Sequence, residues 1–350
     1  MNGTLTLPLM LFFLGAVFPG AGPGESQGWV SFAGAPSGAA PGDGRHVVLV
    51  AGDEEYRSEE TLPQLARILS EHHGFRCTVL FSQTDGVIDP DNRGNIPGLE
   101  LVADADLLIL FLRFRRLPDG DMAHIVKHVE AGKPLIGIRT ATHAFSYEDQ
   151  SQSPYAAWSW KNAEWPGGFG RQILGETWVR HHGHHGHEST LGVAPKESRS
   201  HPILRGVGEV WGPTDVYGIR NLPEDATVVL EGSVRAGMTA DAQAVGGPKN
   251  QPRMPVLWTR ERALAGEAGE QDTQRIVCST LGASVDFASA GLRRALVNSC
   301  YWALELEDKI DPARSVDLVG EFKPTMFGFG GFVRGVRPAE HAWPRPLAKD

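Results

Sequence analysis

Residues 134–145 read Pro-Leu-Ile-Gly-Ile-Arg-Thr-Ala-Thr-His-Ala-Phe, an apolar run that stops abruptly at a polar cluster. The apolar part predicts a buried parallel strand over residues 134–138, followed by a turn. Ligands bind at the carboxyl ends of strands in open α/β sheets, and a strand-to-helix turn there holds its side chains toward the ligand. The turn carries no Ser or Cys; its polar residues are Arg139, Thr140, Thr142 and His143. We therefore predict a reaction or binding centre that lacks the usual nucleophile.

On both sides of this stretch, strand-like apolar runs alternate with helical patterns. Further strands are predicted over 46–51, 77–81, 106–112, 227–231, 255–259 and 275–281, with helices ending near 73 and 132 and a third over 291–306. This order predicts an α/β, doubly wound, mainly parallel flavodoxin-like sheet with helices on both faces. Residues 146–215 are rich in Trp, Gly and His and weakly periodic, so they are predicted to form long loop insertions.

The two ends of the chain differ in composition from the middle. Residues 5–18 are apolar but shorter than the about 20 residues that a membrane span needs, and small residues follow at 19–22. We predict a signal peptide over 1–22, export to the periplasm or extracellular space, and no stable membrane span after cleavage. An uncleaved anchor is the competing interpretation. Residues 23–44 are predicted as a flexible Gly/Ala/Pro leader, 45–310 as the folded domain and 311–350 as an extended tail.

The net charge narrows the class of ligand, and the spacing of the cysteines predicts the state of the thiols. The formal net charge is -9 and the isoelectric point is about 5.8, which argues against nucleic acid because phosphate binding needs a clustered basic face. A small anionic or hydroxylated ligand fits better. The three cysteines form no spaced pair, so buried free thiols are expected, with a single disulfide as the alternative.

Polar clusters follow two other predicted strands. Glu54 and Glu55 come after the first strand, and Arg113 and Arg115 come after the third. In a parallel sheet these clusters meet the turn at 139–143 on one edge, as the polar groups of a small-molecule site do. Two interpretations stay open for each cluster: ligand contacts, or a solvated helix start for the acids and structural salt bridges for the arginines.

A second constellation is five histidines within residues 181–187. Imidazoles bind metals and carry protons, so one divalent metal ion, direct substrate contact and exposed loop packing are all considered. Gly183 and Gly186 disfavour a helix that would pair His181 with His185. The candidate metal ligands are His181, His182, His184 and His185. Trp160, with other tryptophans nearby, suits a sugar-ring face or anchors the loops.

Taken together, these motifs resemble the trehalose-utilisation (ThuA-like) family, a branch of the class I glutamine amidotransferase-like fold. The resemblance covers residues 46–308 and includes the segments after the three strands, the histidine run, His201-Pro202-Ile203, 255–258 and 301–303. In amidotransferases of this fold the elbow carries Cys, with a His on a late loop. Here Arg139 stands at the elbow and residues 280–284 contain no His, so glutaminase activity is not expected.

The resemblance implies an exported bacterial protein that acts on or binds a carbohydrate or polyol, with a homo-oligomer as one arrangement. If it is an enzyme, it is a sugar-processing hydrolase or lyase. The predicted catalytic residues are His143, Arg139 and Thr140, and the predicted substrate-binding residues are Glu54, Glu55, Arg113, Arg115, Thr142 and Trp160. Two alternatives from other classes are a non-catalytic carbohydrate- or protein-binding module and a metal-buffering protein.

Overall fold

Short apolar runs form five parallel strands at the centre of a ten-stranded sheet. The computed structural model describes residues 28–34, 40–42, 44–147, 152–264 and 273–344. Within them the strands are β1 (Trp29–Phe32), β2 (His46–Gly52), β3 (Arg76–Phe81), β4 (Gln83–Thr84), β5 (Val87–Ile88), β6 (Leu107–Leu112), β7 (Leu135–Ile138), β8 (Ser189–Val193), β9 (Val210–Gly212), β10 (Ala226–Arg235), β11 (Met254–Ala263) and β12 (Thr273–Ser279). The α-helices are α1 (Ser58–His73), α2 (Asp119–Glu130) and α3 (Ala290–Ala303).

The sheet order is β1-β3-β2-β6-β7-β12-β11-β10-β8-β9, and β4 pairs with β5 separately. Strands β3, β2, β6, β7 and β12 are parallel neighbours. In chain order these five strands give the arrangement 2-1-3-4-5, which is the flavodoxin-like order. The predicted doubly wound α/β fold is confirmed. In such a sheet the ligand crevice lies where the order reverses, between the carboxyl ends of β2 and β6.

Alternate side chains of each central strand reach opposite faces, and each face carries helices. Val47 and Leu49 pack in one core cluster with α1 and α3, whereas Val48 and Val50 pack in a second cluster with α2. The predicted helices on both faces are thereby confirmed. Among the described residues, none of the helices is both long and apolar enough to cross a bilayer.

Antiparallel strands extend the parallel centre on both edges. Strands β11, β10, β8 and β9 continue from β12, and β8 and β9 lie inside the stretch predicted as loops. On the other edge, β1 pairs with β3 although residues 23–44 were predicted as a flexible leader. Val30 and Phe32 explain this difference, because they are buried in the core cluster of α1. The predicted signal peptide lies outside the described residues.

The C-terminal tail packs on the domain as it passes α1. Val316 and Val319 are buried in the core cluster of α1 and α3. The tail then crosses the carboxyl edge of the sheet, where Arg57 Nε donates to Thr325 Oγ1 at 3.1 Å. We call residues 325–329 the strap.

Candidate functional site

The turn after β2 is held by a buried carboxylate. Asp53 Oδ1 accepts from the backbone N–H of Glu55 at 2.8 Å and from that of Tyr56, while its Oδ2 accepts from Thr140 Oγ1. The hydroxyl of Thr140, which was predicted as catalytic, therefore donates to Asp53 and stabilises this turn. The sequence interpretation did not select Asp53, although it lies beside the acidic pair. By accepting from the backbone of the turn, the Asp53 carboxylate fixes the backbone position of Glu55.

The structure favours the salt-bridge interpretation for Glu54 and Arg115. Glu54 accepts from Arg113 at 2.6 Å and from Arg115 at 2.8 Å. Arg115 is fully buried and also donates to Ser82 Oγ and to the carbonyls of Pro90 and Asn92. These two predicted substrate-binding residues are thus occupied within the protein.

Arg113 also bonds to Glu54, but Arg113 and Glu55 both keep some exposure at the carboxyl edge of the sheet, beside the switch point that we call the crevice. The Arg113 side chain is 15% exposed and the Glu55 side chain is 8% exposed, and their nearest charged atoms are 3.5 Å apart. Burial raises the pKa of the Glu55 carboxyl above its ordinary value, against the opposing effect of the Arg113 charge. An acid with a raised pKa at the rim is suited to proton transfer.

Arg139 occupies the elbow after β7, and its φ of 48° is in the left-handed region. Its guanidinium is directed into the protein, where it forms an ion pair with Asp215 at 3.0 Å and donates to the carbonyl of Thr280. The rings of Tyr56 and Tyr217 flank it at 4.3 and 4.2 Å. Arg139 is fully buried, so the predicted contact of its charge with a reacting group is not present. It is a positioning residue for Asp215.

His143 is also buried rather than presented to a ligand. Its Nδ1 lies 3.1 Å from Thr142 Oγ1, and its ring packs against Phe114, Trp160 and Trp178. Burial lowers the pKa of His143 well below its ordinary value, so the imidazole is neutral at pH 7. Its predicted role as acid or base does not fit this environment. Thr142 and His143 support a wall of aromatic rings to which half-buried Trp160 belongs.

The histidine run divides into two groups. His181 and His185 meet at Asp215: His181 Nδ1 lies 2.7 Å from Oδ2 and His185 Nδ1 lies 3.2 Å from Oδ1. His182 Nε2 instead lies 2.9 Å from the carbonyl of Lys249, and the ring of exposed His184 packs on that of His187. The predicted four-histidine cluster is therefore not assembled.

Backbone pairing, not a helix, brings His181 and His185 together. His181 bridges to Tyr217, and the N–H groups of His182 and Gly183 both donate to the carbonyl of Val216. A Cβ on Gly183 would lie 3.1 Å from the Cβ of Asp215, so the close approach of the two segments favours glycine. The helical spacing argument missed this pairing because the contact depends on a segment more than 30 residues away.

Asp215, which the sequence interpretation missed, is the centre of this group. Burial acts to raise the pKa of its carboxyl, but the hydrogen bonds from His181 and His185 and the charge of Arg139 outweigh burial and lower that pKa. Asp215 is consequently ionised. No local motif marks it, since its partners come from the histidine run and from the elbow.

The strap supplies a third side of the crevice. The N–H of Gly328 donates to the carbonyl of Glu55 at 2.7 Å, and Arg57 donates to the carbonyl of Gly328. The Phe327 ring lies 5.1 Å from that of His185, and the Phe329 ring lies 4.9 Å from the Arg113 guanidinium. Phe329 is 64% exposed, which leaves its ring available to a ligand.

The cysteines lie away from this edge in the core. Cys77, Cys278 and Cys300 are free and buried, as predicted. Burial raises the pKa of each thiol, which leaves them protonated.

Fold and site together define a flavodoxin-like α/β protein with a polar and aromatic crevice at its topological switch point. A scan against protein-family models found no match, and a search of curated proteins found none either. Two solved structures, each named a "putative thua-like protein", are similar. The one from Parabacteroides merdae ATCC 43184 is 14% identical with a TM-score of 0.47, covering 81% of this chain and 97% of its own.

The structure from Bacteroides uniformis ATCC 8492 is 16% identical with a TM-score of 0.45, covering 80% of this chain and 99% of its own. Both bear the family name that the sequence motifs suggested. A domain named "mmIFT52 N-terminal domain" is also similar, at 10% identity and a TM-score of 0.37, over 74% of this chain and 96% of its own. These likenesses concern overall fold and not activity.

Proposed function

We propose that the protein binds a carbohydrate or polyol at the carboxyl edge of the sheet and acts on it by acid–base chemistry. The observation that carries the proposal is the meeting of Glu55 and Arg113, both at the rim, with the exposed ring of Phe329. Sugars present hydroxyl groups along their edges and apolar C–H surfaces on their faces. A crevice that offers both charged hydrogen-bonding groups and an aromatic face is complementary to such a ligand.

Glu55 is the group that we propose as general acid or base. Its raised pKa leaves it able to take a proton from a ligand hydroxyl and to return it, and Arg113 beside it stabilises the resulting negative oxygen. His181 supports this chemistry as a second polar contact. Asp215 occupies its Nδ1, so Nε2 is the nitrogen that remains for a ligand.

Glutamine hydrolysis is not part of the proposed function. The elbow position is Arg139, whose guanidinium is committed to Asp215, and an arginine does not provide a nucleophile at ordinary pH. The three thiols of the chain are buried in the core.

A non-catalytic carbohydrate-binding module is the second candidate. It is favoured by the internal ion pairs that occupy Glu54, Arg115 and Arg139, because much of the charge at this edge serves the fold. Both candidates use the same crevice and differ only in turnover.

The test combines calorimetric binding of monosaccharides, disaccharides and polyols with detection of products by NMR, and includes glutamine among the compounds. For an enzyme, Glu55→Gln keeps ligand affinity within about threefold and lowers turnover at least about 100-fold. Glu100→Gln, an exposed glutamate at the start of a 3₁₀ helix, is the matched control and changes neither quantity. Binding without turnover in the unaltered protein supports the module. No binding at millimolar ligand, or unchanged turnover in Glu55→Gln, overturns the proposed chemistry.

Export and assembly are proposals of the same standing. The apolar run at residues 5–18, followed by small residues, supports a cleaved signal peptide and delivery to the periplasm or the medium. The N-terminal sequence of the protein recovered from each cell fraction tests this, since an uncleaved Met1 in the membrane fraction contradicts it. Light scattering of the purified protein measures whether a homo-oligomer forms.

A further inference from the structure

We propose that His181, His185 and Asp215 form a binding site for one divalent transition-metal ion. Each residue offers one ligand atom, and these three atoms lie within 4.8 Å of one another. Two imidazole nitrogens and one carboxylate oxygen are a donor set that suits Zn²⁺, Fe²⁺, Co²⁺ or Mn²⁺ rather than Ca²⁺ or Mg²⁺, which prefer oxygen ligands.

Each histidine places a ring nitrogen next to one oxygen of the Asp215 carboxylate. His181 Nδ1 and His185 Nδ1 lie 2.7 and 3.2 Å from the two oxygens of Asp215. Around a tetrahedral ion with bonds of about 2.0 Å, neighbouring ligand atoms lie about 3.3 Å apart. Admitting an ion therefore needs the half-buried histidine side chains to move, so that the short separations open and the widest, within 4.8 Å, closes toward that spacing. Without an ion, Nδ1 of each imidazole donates a hydrogen bond to Asp215; with an ion bound, each imidazole carries its proton on Nε2 and presents the lone pair of Nδ1.

A second layer of contacts sets that orientation. His185 Nε2 lies 3.4 Å from Glu55 Oε1, so a proton on Nε2 is directed at a carboxylate while Nδ1 is directed at Asp215. Carboxylate partners of this kind orient histidines that bind metals. Arg139 holds Asp215 through both its carboxylate and its backbone carbonyl, which fixes the third ligand.

Three protein ligands leave coordination positions open for water or substrate, as in catalytic rather than structural metal sites. Of the two rim residues, Glu55 contacts a proposed ligand, since its Oε1 lies 3.4 Å from His185 Nε2. Any catalytic role of the ion rests on the proposed function. Metal binding itself is measured without carbohydrate, so failure of either proposal is distinguishable from failure of the other.

The test uses the untagged full chain after treatment with a chelator. Calorimetry with Zn²⁺ and visible absorption spectra with Co²⁺ report affinity and coordination, and mass spectrometry reports the metal content before treatment. We expect one ion per chain. His181→Ala and His185→Ala should each weaken affinity at least about 100-fold and alter the Co²⁺ spectrum.

His182→Ala, His184→Ala and His187→Ala are matched controls from the same loop, and we expect each to stay within about threefold of the unaltered protein. Circular dichroism confirms that each variant is folded, and both ligand histidines are about one-third exposed. Absence of a one-to-one complex at micromolar Zn²⁺ overturns the proposal. A loss of affinity in the control variants that equals the loss in His181→Ala overturns it as well, because the whole run would then bind metal without a defined site.

Discussion

Replacing Glu59 with glutamine tests whether this buried carboxyl, in the first turn of α1, is protonated in the folded protein. Among the described residues, neither carboxyl oxygen of Glu59 has a hydrogen-bond partner, and the side chain is buried. Burial, with a smaller contribution from the neighbouring charge of Glu60, raises the pKa of Glu59 from 4.5 to about 8. Glutamine has nearly the same shape and no charge, so the substitution removes the titration and little else.

The sign of the pH dependence follows from proton binding. Between pH 4.5 and 8 the folded protein holds a proton on Glu59 that the unfolded chain has lost, so the stability of the unaltered protein falls as pH rises. Each pH unit is worth about 1.4 kcal/mol, which gives a full cost of about 5 kcal/mol above pH 8. At pH 6 about 2 kcal/mol of that cost is already present. The free energy of unfolding of Glu59→Gln, relative to the unaltered protein, should therefore increase by about 3 kcal/mol between pH 6 and pH 9.

Denaturant unfolding followed by tryptophan fluorescence at pH 6, 7.5 and 9 measures this difference. Glu100→Gln is the control, since Glu100 also lies in the first turn of a helical segment but is exposed. Its difference from the unaltered protein should stay within about 0.5 kcal/mol across the range. A Glu59→Gln difference that is equally flat from pH 6 to pH 9 would refute the reasoning, because Glu59 would then not titrate in that window.

Two further predictions concern the strap and the thiols. Phe329→Ala should weaken carbohydrate binding about three- to tenfold, as expected for one aromatic face, and change the free energy of unfolding by less than about 0.5 kcal/mol. Calorimetry measures both this variant and Met326→Ala, which removes a second exposed side chain of the strap. Equal losses of affinity in the two variants contradict the prediction. A thiol reagent should label no cysteine in the folded protein and all three in denaturant, because burial keeps each thiol inaccessible and protonated. Rapid labelling of the folded protein contradicts the burial of Cys77, Cys278 and Cys300.

The parallel half of the fold was predictable because each of its strands is marked by a short apolar run in its own sequence. The runs that became β2, β3, β6 and β7 are short and almost wholly apolar, as strands buried on both faces must be. The polar residues that follow them were correctly placed on one edge. Strands β8 and β9 were missed because they are brief and carry glycine, and their pairing with β10 supplies the order that their own sequence does not.

The site itself was predicted only in part, because burial and partnership depend on distant residues. The sequence marks Arg139 and His143 as chemically capable, but it does not reveal that both side chains are directed into the protein. Asp215 carries no motif. The strap reaches its anchor, Arg57, across 268 residues of sequence, a separation that no periodicity can reveal.

Because the strap lies near the end of the chain, it is the last part of the crevice to be synthesised. Glu55 follows the second strand of the chain, and Asp215 is in place before β10, whereas Phe327 and Phe329 are added only after α3. Because the N-terminal parts of a chain begin to fold first as it is made, the sheet and the Arg139–Asp215 pair can form while one wall of the crevice is still missing. A chain that stops after residue 310 would contain all three proposed metal ligands and the Phe114 ring on Arg113, yet it would lack the exposed ring of Phe329 that lies against the same guanidinium.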